Sequence, residues 1–482
     1  MAKIFTFLLT ALISFVSTIA PAQQRREKPN IILINVDDLG WSDLVCYGSK
    51  YYETPNIDKL ASEGILFTNA YASASVCSPT RAAIMTGKAP ARTGITDWIR
   101  ARFQGGAIPE DKQYHLKYEG NASHKLLTPS NPLWMELEEV TIAELLKQNG
   151  YTTCHIGKWH LGADDWYPEE QGFDYNIGGC DYGQPPSYFD PYYNNEKMPD
   201  IPGLPPRKKG EYLEDRLADE AMNFITTHQD KPFFLNMWNY AVHTPIQGRS
   251  DLVTKYEKKK RTNQKSADYA AMVESVDETV GKIMQTLKKL KLDQQTLVIF
   301  TSDNGGLEMN NATDNDPLRS GKGYAYEGGI RVPMIVRWQG KIKKNQRNDT
   351  PVISHDLFPT FCEAAGITAR DKRDMDGLSL LPILTENRTL DRTTLYWHFP
   401  HYRMSDIVPY SIIREGDWKL IKRYEGKEFE LFHLGDDLSE EKDLSEKMPE
   451  KVVELNKKLM HWLDEAGARL PGENPKYTPI KK

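Results

Sequence analysis

The chain reads as an α/β protein: a mostly parallel central sheet flanked by helices, followed by a smaller C-terminal α+β subdomain. Three observations predict this. Short apolar runs at 31–36, 152–156, 232–238, 296–301 and 332–338 have the composition and length of buried strands. Helix-like segments at 140–149, 212–228 and 269–290 lie between them, and strands alternating with helices imply a sheet covered on both faces. The end of the chain changes texture. Stretches 411–422 and 428–434 look like two strands of a hairpin or meander, and 449–465 reads as an amphipathic closing helix. The apolar face of that helix is expected to be Val452, Val453, Leu455, Leu459, Trp462 and Leu463. A boundary in the charged stretch 369–376 divides the chain into a larger unit, 27–372, and a smaller one, 373–482.

The first residues read as an export signal. Lys3 gives a positive start, residues 4–19 are apolar, and Ala20-Pro21-Ala22 offers a small-residue cleavage site, so 1–22 is expected to be a signal peptide. The apolar stretch falls short of the roughly 20 residues that span a bilayer, and no later run is long enough to cross one. No cysteine follows it to carry a lipid. The expected location is therefore the periplasm or the medium. With 482 residues and a formal charge of −6, the chain is long enough for one large domain and lacks any basic block that would track a phosphate backbone, so nucleic acid is excluded as a partner. Five cysteines, Cys46, Cys77, Cys154, Cys180 and Cys362, match no zinc spacing. If Cys77 is chemically consumed, the other four allow three disulfide pairings or none.

Ligands of open parallel sheets bind beyond the carboxyl ends of the strands. Asp37 and Asp38 follow the first predicted strand, Lys158 and His160 the second, His243 the third, and Asp303 and Asn304 the fourth. Four strands thus deliver ionisable or metal-binding groups to one edge. Asp37, Asp38, Asp303 and Asn304 form an all-oxygen set, which favours a hard cation such as calcium or magnesium. A carboxylate after a strand is otherwise often a helix cap. The run Cys77-Ser78-Pro79-Thr80-Arg81 precedes an apolar helical turn, and Pro79 suits a first helical turn. Cys77 therefore falls at a helix N-terminus, where backbone N–H groups favour an anion.

These segments carry a resemblance. Cys77-Ser78-Pro79-Thr80-Arg81-Ala82-Ala83-Ile84-Met85-Thr86-Gly87, Gly157-Lys158-Trp159-His160-Leu161-Gly162, Thr301-Ser302-Asp303-Asn304-Gly305-Gly306 and Tyr326-Glu327-Gly328-Gly329-Ile330-Arg331-Val332-Pro333 resemble the type I, formylglycine-dependent sulfatases of the alkaline phosphatase superfamily. The resemblance runs from about residue 30 to 470 and implies an alkaline-phosphatase-like fold. It implies that a formylglycine-generating or anaerobic sulfatase-maturing enzyme converts Cys77 to formylglycine (3-oxoalanine). The hydrated aldehyde has two hydroxyls on one carbon, one to attack sulfur and the other to release sulfate afterwards. It also implies one calcium ion held by Asp37, Asp38, Asp303, Asn304 and the modified Cys77, with Asp303 taking the proton of the attacking hydroxyl. Arg81 would orient the nucleophile, and Lys158 and Lys322 would bind sulfate oxygens. His160 would serve sulfate release and His243 the leaving oxygen.

The implied activity is exo-type desulfation of a sulfated glycan, with algal polysaccharides such as ulvan or carrageenan and glycosaminoglycans as candidates. Aromatic and arginine side chains suit sugar rings and their anionic groups. The stretches 97–104 and 397–403 and residues 164–166 are therefore the expected recognition surface, with Arg100, Arg102, Asp165, Trp166, His398 and His401 as its candidates. The alternative is a phosphomonoester or phosphonate hydrolase of the same superfamily. A glycan binder without activity is disfavoured because every expected catalytic position is filled.

Overall fold

The computed structural model describes residues 28–105, 114–368, 375–386 and 388–479. The expected signal peptide and the boundary between 372 and 373 lie outside the described residues. The core is an eight-stranded sheet: β1 (Asn30–Val36), β2 (Ile65–Phe67), β3 (Thr152–Gly157), β4 (Tyr175–Ile177), β5 (Phe233–Trp238), β6 (Thr296–Ser302), β7 (Met334–Trp338) and β8 (Gln346–Asn348). Their spatial order is β8-β2-β7-β6-β1-β5-β3-β4. β7 pairs antiparallel with both neighbours; every other pairing is parallel.

The parallel centre explains the uniform apolar runs. All seven residues of β1 are buried, because helices cover both faces. Ile32, Ile34 and Val36 join the core beneath helices Leu213–Thr227 and Ala267–Lys289. Ile31 and Leu33 join the opposite core, with Ala82, Ile84 and Met85 of helix Cys77–Thr86. The register brings the strand ends level: Val36 pairs with Ser302, Asn35 with Trp238, and Gly157 with Trp238. Residues just beyond those ends are therefore side by side.

Stretch 411–422, expected as one strand, is two: β10 (Tyr410–Glu415) and β11 (Trp418–Arg423), following β9 (Thr394–Phe399) and preceding β12 (Phe429–His433). The chain reverses at Gly416, whose φ of 56° is cheap only for glycine. The four strands form an antiparallel sheet in sequence order. Helix Pro449–Glu465 covers one face, with Val452, Leu455, Leu459 and Leu463 packed on Ile413, Leu420 and Leu431. Val453, expected on that face, is instead 69% exposed. The other face, including Trp397, Ile412 and Phe432, shares a core with Tyr71, Val76 and Ile330 of the large unit.

A buried ion network crosses the same junction. Lys419 lies 2.9 Å from Glu327 and 2.8 Å from Glu440, with all three side chains fully buried. Tyr71 donates to Glu327 at 2.7 Å. Burial pushes the Glu440 carboxyl from 4.5 up to about 7, with the Glu327 charge adding to it and Lys419 opposing. The five cysteines are all unpaired. Among the described residues no helix is long and apolar enough to cross a membrane.

A raised folded-state pKa contributes stability that is complete below the unfolded value of 4.5 and lost as pH rises through about 7. Glu440→Gln, which cannot ionise, is therefore expected to flatten the fall in stability between those values relative to wild type. Urea denaturation across that range checks this; parallel curves for the two proteins would refute it.

Candidate active site

The carboxyl edge of β1, β3, β5 and β6 gathers six charged side chains that water scarcely reaches. Asp37, Asp38, Asp303, Arg81 and Lys158 are 0% exposed and Lys322 is 5% exposed. Arg81 sits in helix Cys77–Thr86 and reaches back under the sheet edge. Its guanidinium grips Asp303 through Nε at 2.8 Å and Nη2 at 2.6 Å, donates Nη1 to the Lys158 carbonyl at 2.8 Å, and lies 5.0 Å above the Trp238 ring. That planar fork is a geometry a lysine cannot supply. Lys158 Nζ meets Asp37 Oδ2 at 2.5 Å, and Lys322 Nζ meets Asp38 Oδ1 at 2.6 Å.

Local backbone makes these placements. Gly157 has φ of 92°, and a Cβ there would stand 2.1 Å from the Trp238 carbonyl oxygen, so only glycine lets β3 close on β5. The next residue, Lys158, then donates its N–H to that carbonyl at 2.8 Å. Asp38 and His160 adopt φ of 61° and 62°. Aspartate and histidine tolerate the left-handed region better than most residues, and such conformations concentrate at functional sites.

Burial alone would raise Asp38, but Lys322, His243 and Lys158 hold it well below the usual carboxylate range. Asp37 goes the other way: burial and the adjacent Asp303 push it up to about 8, despite Lys158 and Arg81. Burial, then Lys158 and Arg81, drive His160 well below its ordinary value; burial, then Lys322, does the same to His243. Both rings are neutral near pH 7, and their partners define the tautomers. His160 Nε2 is 2.6 Å from the Ile99 carbonyl, which can only accept, so Nε2 carries the hydrogen. Its basic Nδ1 therefore faces Cys77 Sγ at 3.3 Å. His243 Nδ1 likewise faces the Thr244 carbonyl at 3.0 Å, leaving Nε2 3.6 Å from Asp38 Oδ2.

Among the expected cation ligands, Asp37 Oδ1 and Asn304 Oδ1 are buried without a hydrogen-bond partner. Asn304 spends its amide N–H on Asp38 Oδ1 at 2.8 Å, which turns its oxygen away, free to bind a cation. Asp37, Asp38 and His243 each bring a ligand atom within 4.8 Å of the others. Unpartnered acceptors beside two carboxylates fit a hard divalent ion. Asp303 Oδ2 is taken by Arg81, and its Oδ1 lies 3.3 Å from the Asp38 N–H.

The residues read from sequence for substrate recognition are more scattered. Arg100 lines a cavity of about 510 Å³ with Trp98, His401 and Tyr402, and Trp98 packs 6.4 Å from the His160 ring. Arg102 pairs with Asp164 on the exposed surface, Trp166 stacks on Trp134 at 4.3 Å, and Asp165 is exposed. His401 Nε2 shares a hydrogen bond with Thr96 Oγ1 at 2.7 Å. His398 stands inside the small sheet, its nitrogens engaged by Ser411 Oγ and the Arg469 carbonyl, which leaves neither for a substrate. Burial lowers both histidines, to about 4 and about 3 for His398 and His401. A larger cavity of about 780 Å³ opens beside Lys322, lined by Tyr324, Tyr326 and Arg423. Ser78 was not anticipated: its hydroxyl donates to the His160 carbonyl at 2.9 Å and accepts from the Ile99 N–H, clipping the 97–101 loop to the site. Nothing in the sequence marks this serine, because its role depends on two distant backbone groups.

A sheet edge that buries an anion-binding set around a helix-terminal cysteine defines the class. The sulfatase family model matches residues 29–367, and that of the C-terminal part of N-sulphoglucosamine sulphohydrolase matches 320–468. A sulfatase of Formosa agariphila is 33% identical, over 95% of this chain and 92% of its own. Human N-acetylgalactosamine-6-sulfatase is 33% identical over 77% of this chain and 68% of its own. The crystal structure of Ps i-CgsB in complex with k-i-k-neocarrahexaose superposes with a TM-score of 0.75 at 30% identity, covering 94% of this chain and 95% of that one. The chain belongs to the sulfatase family and is a sulfuric ester hydrolase.

Arg81→Gln would strand Asp303 as a buried carboxylate without its guanidinium. The expected cost is about 3–5 kcal/mol, read from urea denaturation, with Arg81→Lys in between. Wild-type stability in Arg81→Gln would refute the neutralising role.

Proposed function

We propose that this protein removes sulfate esters from a sulfated glycan, in exo fashion, after export to the periplasm or medium, using a formylglycine matured from Cys77 and one calcium ion. The observation that carries the reading is the basic Nδ1 of His160 facing residue 77 from within a ring of buried cations. The glycan is supported by the names of the relatives, which include an N-acetylgalactosamine-6-sulfatase and a protein bound to neocarrahexaose. Exo action is supported by the tight burial of the reacting groups, which a projecting terminal sulfate reaches more readily than one in mid-chain.

The chain's own residues have distinct tasks. Lys158 and Lys322 offer ammonium donors to sulfate oxygens and offset their charge. His160 Nδ1 accepts a proton from the group at position 77, while Ile99 fixes its tautomer. His243 Nε2 lies on the exposed side of Asp38, beside the departing alcohol oxygen, and the neighbouring Lys322 ammonium supplies the donor that this oxygen needs. Arg81 holds Asp303 through two guanidinium contacts and aligns it. Asp37, Asp38, Asn304 and Asp303 would hold the calcium ion, which when bound polarises a sulfate oxygen as a Lewis acid. The hydrated formylglycine, once installed, supplies a nucleophilic hydroxyl with a second hydroxyl on the same carbon.

Enzyme produced with a maturing enzyme is expected to show formylglycine at position 77 by peptide mass spectrometry and to cleave 4-nitrophenyl sulfate faster than 4-nitrophenyl phosphate. Only free thiol in active enzyme, or the reverse preference, would overturn the reading. Cys77→Ala is expected to lose about 10³-fold or more in kcat. Cys77→Ser should release no more than one equivalent of alcohol per chain.

Chelation is expected to lower Tm by several degrees and calcium to restore it, as ligand binding to the folded state requires. Asp37→Asn should lose that response; an unchanged response would remove Asp37 from the cation site.

A further inference from the structure

We propose that Asp97 and Arg403 form a paired clamp for two neighbouring hydroxyls of the sugar that carries the scissile sulfate. This rests on the sulfated-glycan reading and deepens it by naming what selects the sugar. The side chain of Arg403 lies across Gly323, where a Cβ would stand 3.1 Å from its Cδ and Nε. Gly323 directly follows Lys322. Asp97 directly precedes Trp98, which packs against His160. The pair therefore spans the mouth of the site, from the Lys322 side to the His160 side.

Their exposure puts them outside the reacting groups. The side chains of Arg403 and Asp97 are 21% and 19% exposed, where Arg81 and Lys158 have none. An alcohol whose sulfate reaches Lys322 and His160 passes beside them. Both are held firmly. Asn131 Oδ1 accepts from the N–H groups of Thr96 and Asp97, both at 3.0 Å, and Asp97 Oδ1 accepts from the Trp98 N–H at 2.8 Å. Arg403 and Ile407 exchange backbone hydrogen bonds at 3.0 and 3.1 Å.

The functional ends, in contrast, are not hydrogen-bonded to each other. Arg403 Nη1 and Asp97 Oδ1 are 3.7 Å apart, too far for a hydrogen bond. Arg403 Nε is buried without a partner. Native interiors seldom leave a buried donor unpaired unless a ligand or water completes it. A guanidinium only donates and an ionised carboxylate only accepts, whereas each sugar hydroxyl does both. Two adjacent hydroxyls satisfy the pair together. A second sulfate or a uronate fits less well, because Asp97 neutralises Arg403 and repels an anion at that distance. Sites built to bond a substrate hydroxyl discriminate strongly against analogues that lack it.

The test compares wild type, Arg403→Ala, Arg403→Lys and Asp97→Asn on 4-nitrophenyl sulfate, on N-acetylgalactosamine 6-sulfate and on neocarrahexaose. On each sulfated sugar that wild type cleaves, kcat/KM is expected to fall about 100-fold in every variant, mostly through KM, and at least about tenfold more than on the aryl sulfate. Arg403→Lys keeps the charge and loses the fork, so its failure at wild-type Tm separates recognition from folding. Equal losses on sugar and aryl sulfate, or retained sugar activity, overturn the clamp. Loss confined to the multiply sulfated neocarrahexaose also overturns it, by making Arg403 an anion site. Cleavage of the aryl sulfate but of neither sugar by wild type instead overturns the glycan reading on which the clamp rests.

Discussion

Burying a carboxylate is costly unless a cation is buried with it, and this site buries three of each within one sheet edge. Asp37 leans on Lys158, Asp38 on Lys322, and Asp303 on Arg81. Removing one partner leaves the other as an uncompensated buried charge, so each pair must be held within hydrogen-bonding distance by something stiff. The parallel sheet supplies that stiffness, since its in-register strand ends bring Val36, Gly157, Trp238 and Ser302 level. Gly157 exists to let β3 and β5 close up, and Trp238 then lies flat beneath Arg81.

The same constraint organises the histidines. Burial, reinforced by Lys158 and Arg81 at His160 and by Lys322 at His243, keeps both imidazoles neutral, and backbone carbonyls rather than acidic residues select the nitrogen that stays basic. Asp37 is the member of the set least satisfied by protein groups, with one oxygen unpaired and its carboxyl pushed up to about 8. A divalent cation answers both conditions. The small C-terminal sheet depends on the same principle in separate form, through Lys419 buried between Glu327 and Glu440.

What could be read without coordinates follows from this physics. Strands buried on both faces carry continuous apolar runs, so β1, β3, β5 and β6 were visible, and with them the residues that follow each one. Asp37, Asp38, Lys158, His160, Asp303 and Asn304 were found by position on the chain alone. The reversed direction of β7 was not visible, since an apolar run has no polarity. Gly416 splits a strand in a stretch whose side chains all suit strands. His398 and Trp166 have the side chains of sugar contacts, yet one hydrogen-bonds inside a sheet and the other stacks on Trp134. Residue type announces capability; which surface receives it depends on pairings between distant segments. Ser78 was missed for the same reason, and Arg403 entered only as the last residue of the stretch 397–403.

Arg403 is anchored by one backbone bridge to Ile407, and Asp97 by one asparagine, whereas Asp37, Asp38, Lys158, Asp303 and Asn304 directly follow strands of the large sheet and Cys77 and Arg81 sit in helix Cys77–Thr86. Chemistry and selection are thus mounted on separate supports. A change in the loop residues at the mouth leaves the charged set below in place, so one reaction core is able to serve different sugars when its rim differs.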